Sequence, residues 1–244
     1  MKSSGLLLLA FSLALGAQPV RVFSEFAQID EQGEVIAPEF PREILSPAIA
    51  RNAFSSFQVV IQVPPQTKFE LHIGQNPEGA VQVTMYRRLG NLLHPISLPY
   101  ESDSTQVLWM DVWVDPEAPV RRIKLEPQAR INGDWVIYPI EVRVRDPKVD
   151  VSVAGNGSLA AADVLRAAVC GNKLAIPAES RLTVTRLQFR NAQQDAALAA
   201  QLPKQDQEEI KKRLGGCGGK PLADPEAYLR ARDYLFTPFW EKVK

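Results

Sequence analysis

Phe57-Gln58-Val59-Val60-Ile61-Gln62-Val63 decides the fold. Its odd positions are all apolar and two of the three even ones are Gln, the period-2 pattern of a strand that buries one face. The pattern recurs downstream. Phe69-x-Leu71-x-Ile73 and Val81-x-Val83-x-Met85 follow the breaks at Pro64-Pro65 and Gly74 to Gly79, and Leu108-x-Met110-x-Val112-x-Val114 runs into Asp115-Pro116. Ile123-x-Leu125 comes next, then Val136-x-Tyr138-x-Ile140-x-Val142-x-Val144 after Asn132-Gly133. That dipeptide suits a two-residue hairpin because both positions tolerate positive φ. With Arg21–Phe23 and Glu34–Ile36 these make about seven or eight short strands divided by turns, the signature of an antiparallel β-sandwich over residues 18–150.

Residues 151–244 change character. Leu159–Val169 is Ala-rich, follows Ser158 as an N-cap and stops at Gly171, and Asn191–Leu202 has helical periodicity. Arg181–Phe189 suits strand or helix. Lys204–Leu214 reads as a helix stopped by Gly215-Gly216, and Asp224-Pro225 starts a last helix through Leu235. The expected architecture is mainly β, with a small, mostly α-helical C-terminal region. Residues 17–150 carry 13 basic and 18 acidic side chains and residues 151–244 carry 14 and 10, so the two parts have opposite sign and attract weakly across screened water.

Composition narrows the function classes. The 244 residues hold 28 Lys+Arg against 28 Asp+Glu, with 2 Cys and 2 His. Zero net charge supplies no phosphate-neutralising field, so nucleic acid is not an expected partner. Two Cys and two His leave little for a tetrahedral zinc site, and no metal or cofactor is expected. Residues 1–17 read as a signal peptide: Lys2, the apolar run Leu6–Leu15, then Gly16 and Ala17. The run is shorter than the roughly 17 to 25 residues a membrane span needs. Ala14-x-Gly16 fits cleavage, no Cys follows it, and no second spanning run occurs. The expectation is an exported protein, periplasmic or extracellular, that does not span the membrane once cleaved. Export permits a Cys170–Cys217 disulfide, the single pairing two cysteines allow, with two free thiols as the alternative.

The segment Ser46-Pro47-Ala48-Ile49-Ala50-Arg51-Asn52-Ala53-Phe54-Ser55-Ser56-Phe57-Gln58-Val59-Val60 resembles the "Arg-Asn, aromatic, Gln, aliphatic" signature of the N-terminal β-sandwich that precedes the catalytic barrel in family-123 glycoside hydrolases and related secreted bacterial proteins. Val107–Pro116, Ile123–Leu125 and Trp135–Val144 are similar to that domain's closing strands, and the likeness covers residues 20 to 147. Ala53 stands where the family has Glu, and Val120-Arg121-Arg122 replaces its Gly-rich bend. The roughly 94 residues after Asp150 are too few for a barrel of about 250. The resemblance therefore implies an accessory module without the enzyme.

Trp109, Asp111 and Trp113 alternate on the face opposite Leu108, Met110, Val112 and Val114. Two indoles about 7 Å apart with a carboxylate between them can stack on sugar rings and bind their hydroxyls; equally, the helical region or second sheet can cover this face and make both tryptophans core. Catalytic residues are not expected. His72 and His94 lie beside no nucleophile elbow, and His72 has solvent-facing parity. Gly215-Gly216-Cys217-Gly218-Gly219-Lys220 lacks the spacing and Ser/Thr of a phosphate loop. Asp30-Glu31, Glu101/Asp103 and Glu208-Glu209 read as surface, and Lys211–Arg213 as a helix-end charge cluster. The sequence thus points to a secreted binding module with carbohydrate as its ligand class, or alternatively to an envelope assembly protein with a protein partner.

Overall fold

The computed structural model describes residues 18–25, 27–36, 46–149, 166, 169–171, 194–218, 236 and 238–243. The signal-peptide segment, residues 181–189 and the helix expected over 224–235 lie outside the described residues, as does most of 159–169. The strands are β1 Val20–Ser24, β2 Ala48–Arg51, β3 Ala53–Ile61, β4 Phe69–Asn76, β5 Gln82–Leu89, β6 Leu92–Ile96, β7 Tyr100–Ser102, β8 Gln106–Val114, β9 Arg122–Ile131, β10 Asp134–Ile137 and β11 Ile140–Lys148. The first sheet runs β1-β3-β8-β5-β6; the second runs β2-β11-β9-β4-β7 with β10 attached to β9. This is the expected sandwich, mixed rather than wholly antiparallel, because β2 lies parallel to β11.

Period-2 burial builds the core. Phe57, Val59 and Ile61 of β3 and Leu108, Met110, Val112 and Val114 of β8 face Phe69, Leu71, Ile123, Leu125, Ile140, Val142 and Val144 of the second sheet, all buried in one cluster. Each fully buried aliphatic side chain of this kind stabilises by about 1.5–3 kcal/mol. Two expected boundaries move. Glu34–Ile36 is not a strand: the Asp30 carboxylate accepts the Gln32 and Glu34 N–H groups and Gly33 sits at φ +83°, so only an Ile29–Val35 bridge remains. The stretch Val136–Val144 is two strands, because Pro139 offers no N–H at the break; β10 pairs with residues 128–131 of β9 and β11 with 122–125.

The helical part closes the edge of the second sheet. Residues 194–199 are helical, and α1 spans Lys204–Arg213, with Asp206 in its first turn and Lys211, Lys212 and Arg213 in its last. Gly215 and Gly216, both at positive φ, return their N–H groups to the Lys212 and Lys211 carbonyls, which satisfies the helix end. Cys170 and Cys217 form a disulfide. Leu198, Leu202, Ile210, Leu214, Phe236, Phe239 and Trp240 join the sandwich core as one buried cluster. Ile49 and Val144 are register partners facing inward, so Ala48, Ala50 and Arg143 point outward, yet all three are buried. Arg143 donates to the Ser46 carbonyl and lies 3.6 Å from Glu241. Gln194 accepts the Ala50 N–H and donates to the Phe54 carbonyl, capping an otherwise unpaired edge.

Candidate functional site

Of the three residues singled out on β8, two are inside. Trp109 is 1% exposed and packs with Tyr86 and Leu93. Asp111 is 3% exposed and accepts the Ser56 hydroxyl at 3.0 Å. The Gln58 side chain opposite Trp109 is buried and donates to the Ser24 and Ala27 carbonyls. Among the described residues, the buried Trp109 Nε1 and Gln58 Oε1 have no hydrogen-bond partner. Trp113 is half-buried, tilted against Phe54 at 6.3 Å, and lines a 310 Å³ pocket with Gln82, Asp115, Glu117 and Arg121. The paired-indole platform drawn from strand periodicity therefore reduces to Trp113 alone.

An accessible indole lies instead on the outer face of the second sheet. Asn132 (φ 52°) and Gly133 (φ 96°) form the two-residue turn between β9 and β10, and this turn sets Trp135 opposite Arg130. Arg130 lies opposite Glu70, and Glu70 opposite Glu101. Side chains of directly paired residues share a face, so Trp135, Arg130, Glu70 and Glu101 form one row across β10, β9, β4 and β7. Ile137, Gln128 and His72 form the neighbouring row. Trp135 is 50% exposed and Ile137 42%. Among the described residues, the helical part packs at the β2–β11 side of this sheet, where Gln194 bonds to Ala50 and Glu241 lies near Arg143.

The row is organised around the Glu70 carboxylate. One oxygen pairs with Arg130 and the other lies 3.0 Å from His72 Nε2. Both partners touch the indole: the Arg130 guanidinium lies 6.0 Å over the Trp135 ring and the His72 ring meets it edge-on at 5.3 Å. Trp135 is thereby held on edge while half of its surface stays wet. In the next row, Gln128 donates to Glu126. The hydrogen bond from Lys124, ahead of that Lys124 charge, holds the Glu126 carboxyl below the usual range against the opposing effect of burial. A Cβ at Gly74 would stand 2.7 Å from the Gln128 amide, so glycine there lets Gln128 lie across β4. Beside the row opens a cleft of about 590 Å³ lined by Lys68, Glu70, Glu101, Ser102, Asp103, Arg130 and Asn132. Its lining carries hydrogen-bond donors and carboxylate acceptors. Among the described residues no cluster of three metal-ligating side chains occurs, and no helix is long and apolar enough to cross a membrane.

Trp135, Arg130 and Glu70 are not among the residues that the sequence singles out. The Asn132-Gly133 turn fixes the Trp135–Arg130 register, so part of the row was within reach. The other half depends on β4 pairing with β9 across 60 residues of chain, which no local pattern encodes.

No protein-family model matches the chain, and no curated protein matches it. Solved structures overlap it in part. A family 123 glycoside hydrolase from Clostridium perfringens, studied for glycolipid glycan hydrolysis, is 8% identical with a TM-score of 0.38 over 54% of this chain and 27% of its own. A family 5 xyloglucanase of Bacteroides ovatus is 9% identical, TM-score 0.27, over 51% and 24%. The C-terminal domain of the AgI/II polypeptide BspA of Streptococcus agalactiae is 11% identical, TM-score 0.25, over 58% and 57%. The chain thus spans about a quarter of either glycosidase. A β-rich fold is what these likenesses share with it.

Proposed function

We propose that the protein is an exported, non-catalytic binding module that holds carbohydrate on the outer face of its second sheet, in the manner of an accessory sandwich working without its barrel. The observation that carries this reading is Trp135, an indole half open to water, braced by Arg130 and His72. It stands at the end of a row whose cleft supplies the amide, ammonium, hydroxyl and carboxylate groups that sugar hydroxyls pair with. The likeness of residues 20 to 147 to the family-123 sandwich supports the same ligand class, and the leader-like N-terminus and the disulfide support export. The test is affinity electrophoresis of the disulfide-bonded protein through gels cast with neutral polysaccharides. Retardation by at least one glycan, lost in Trp135→Ala and kept in Trp113→Ala, is expected. Migration indifferent to every glycan refutes the reading.

A second reading, an envelope assembly protein, draws on β10. This strand pairs with β9 and, among the described strands, with no other, and it exposes Trp135 and Ile137 at alternate positions, a free edge on which a partner's strand can add. Ile137→Lys separates the two: it blocks strand addition and leaves the Trp135 row intact.

A further inference from the structure

We infer that the site, on the carbohydrate reading above, takes a neutral oligosaccharide of about three rings laid across the strands. The row Trp135–Arg130–Glu70–Glu101 covers three interstrand steps. At about 4.8 Å each these make roughly 14 Å, the length of about three pyranose rings at about 5 Å per ring. The chemistry changes along it. At the β10 end the indole offers an apolar face to the C–H side of a ring. In the middle, Arg130 and Glu70 satisfy one another and present a fixed donor–acceptor pair. At the β7 end, Glu101 and Asp103 border the cleft with no ion pair among the described residues, and Lys68 is likewise uncommitted.

That distribution selects against charge. The cleft carries three carboxylates, Glu70, Glu101 and Asp103, against two cations, Lys68 and Arg130, and the Arg130 charge is already engaged by Glu70. A uronate or sulfate at the β7 end meets two unpaired carboxylates, whereas a hydroxyl donates to them. Length is limited as well, because β7 is the last strand of this sheet and nothing described in the row continues past Glu101.

The experiment is a heteronuclear NMR titration of the intact, disulfide-bonded protein with two neutral ladders, β-1,4-linked glucose and mannose oligosaccharides of one to six units, and with oligogalacturonides of the same lengths. In the better-bound neutral ladder, Kd falls about fivefold per ring up to three rings, about one net hydrogen bond each, and changes by less than about twofold beyond. Oligogalacturonides bind at least about tenfold more weakly, and Glu101→Gln narrows that gap, as removal of one repelling charge requires. A Kd that keeps falling through six rings, or is flat from one ring, overturns the three-ring row while leaving carbohydrate binding intact. Preference for the uronates overturns the charge argument in the same way. No binding by either neutral ladder, with Trp135 resonances unmoved, overturns the carbohydrate reading itself and this inference with it.

Discussion

Replacing each of two tryptophans by alanine separates an indole that builds the fold from one that serves the surface. Trp109 is 1% exposed and packs with Tyr86 and Leu93. Large-to-small replacement of such a side chain costs about 3–5 kcal/mol. Its buried Nε1 has no partner among the described residues, and removing an unmade buried hydrogen bond returns part of about 1–3 kcal/mol. Trp109→Ala is therefore expected to destabilise by about 2–4 kcal/mol, which for a chain of this size lowers Tm by about 5–15 °C. Trp109→Phe fills much of the space and deletes the orphan N–H, so it stays within about 1 kcal/mol of the wild type. Trp135 is 50% exposed and touches Arg130 and His72; its loss removes an exposed cation–π contact worth about 0.5–1 kcal/mol. The assay is urea unfolding followed by far-UV circular dichroism, checked for an unchanged m-value. A Trp109→Ala variant as stable as wild type, or a Trp135→Ala variant that loses more than about 2 kcal/mol, refutes the assignment of the two indoles.

The disulfide joins residues 47 apart, so Cys170→Ser with Cys217→Ser should cost about 4 kcal/mol by loop-closure entropy; a thermal melt unchanged by the double substitution contradicts this. Glu117 is held below the usual carboxylate range first by the hydrogen bond from Lys148 and then by its charge. A depressed folded-state pKa contributes stability above the unfolded value that is lost as pH falls through the folded one. Lys148→Met should therefore lower the urea midpoint at neutral pH and match wild type in acid, once Glu117 is protonated in the folded and unfolded states alike, and a pH-independent difference counts against it. Arg145 is partly buried, its Nε has no partner among the described residues, and burial, then Arg143 and Arg122, push its pKa down. Arg145→Met should raise Tm by about 2–4 °C, equivalent to about 1 kcal/mol, and a fall in Tm overturns that reading.

β4, β5 and β11 bury one face against the core and show it as alternation, while β3 and β8, buried on both faces, keep a legible period because polar Gln58 and Asp111 interrupt their apolar runs on the outer face. β2 was not, because it is four residues long and Ala48, Ile49 and Ala50 are all buried, so no polar position marks a period. β6 and β7 are short edge strands whose half-exposed residues carry little pattern. Parity placed Trp109 and Trp113 on one face correctly but could not say what covers that face. On that face Trp109 packs with Tyr86 and Leu93 and Trp113 with Phe54, neighbours set by strand pairing rather than by any local pattern. His72 was readable as solvent-facing, and its side chain does face outward beside Glu70. Its meeting with Trp135 needed the β4–β9–β10 register.

The most direct test follows the four indole Nε1–H resonances of the 15N-labelled protein during titration with the neutral glycan that retards it most. The Trp135 resonance is expected to shift and saturate while Trp109 and Trp240, both buried, stay fixed. A shift at Trp113 with Trp135 unmoved, or no indole shift at saturating glycan, would contradict it.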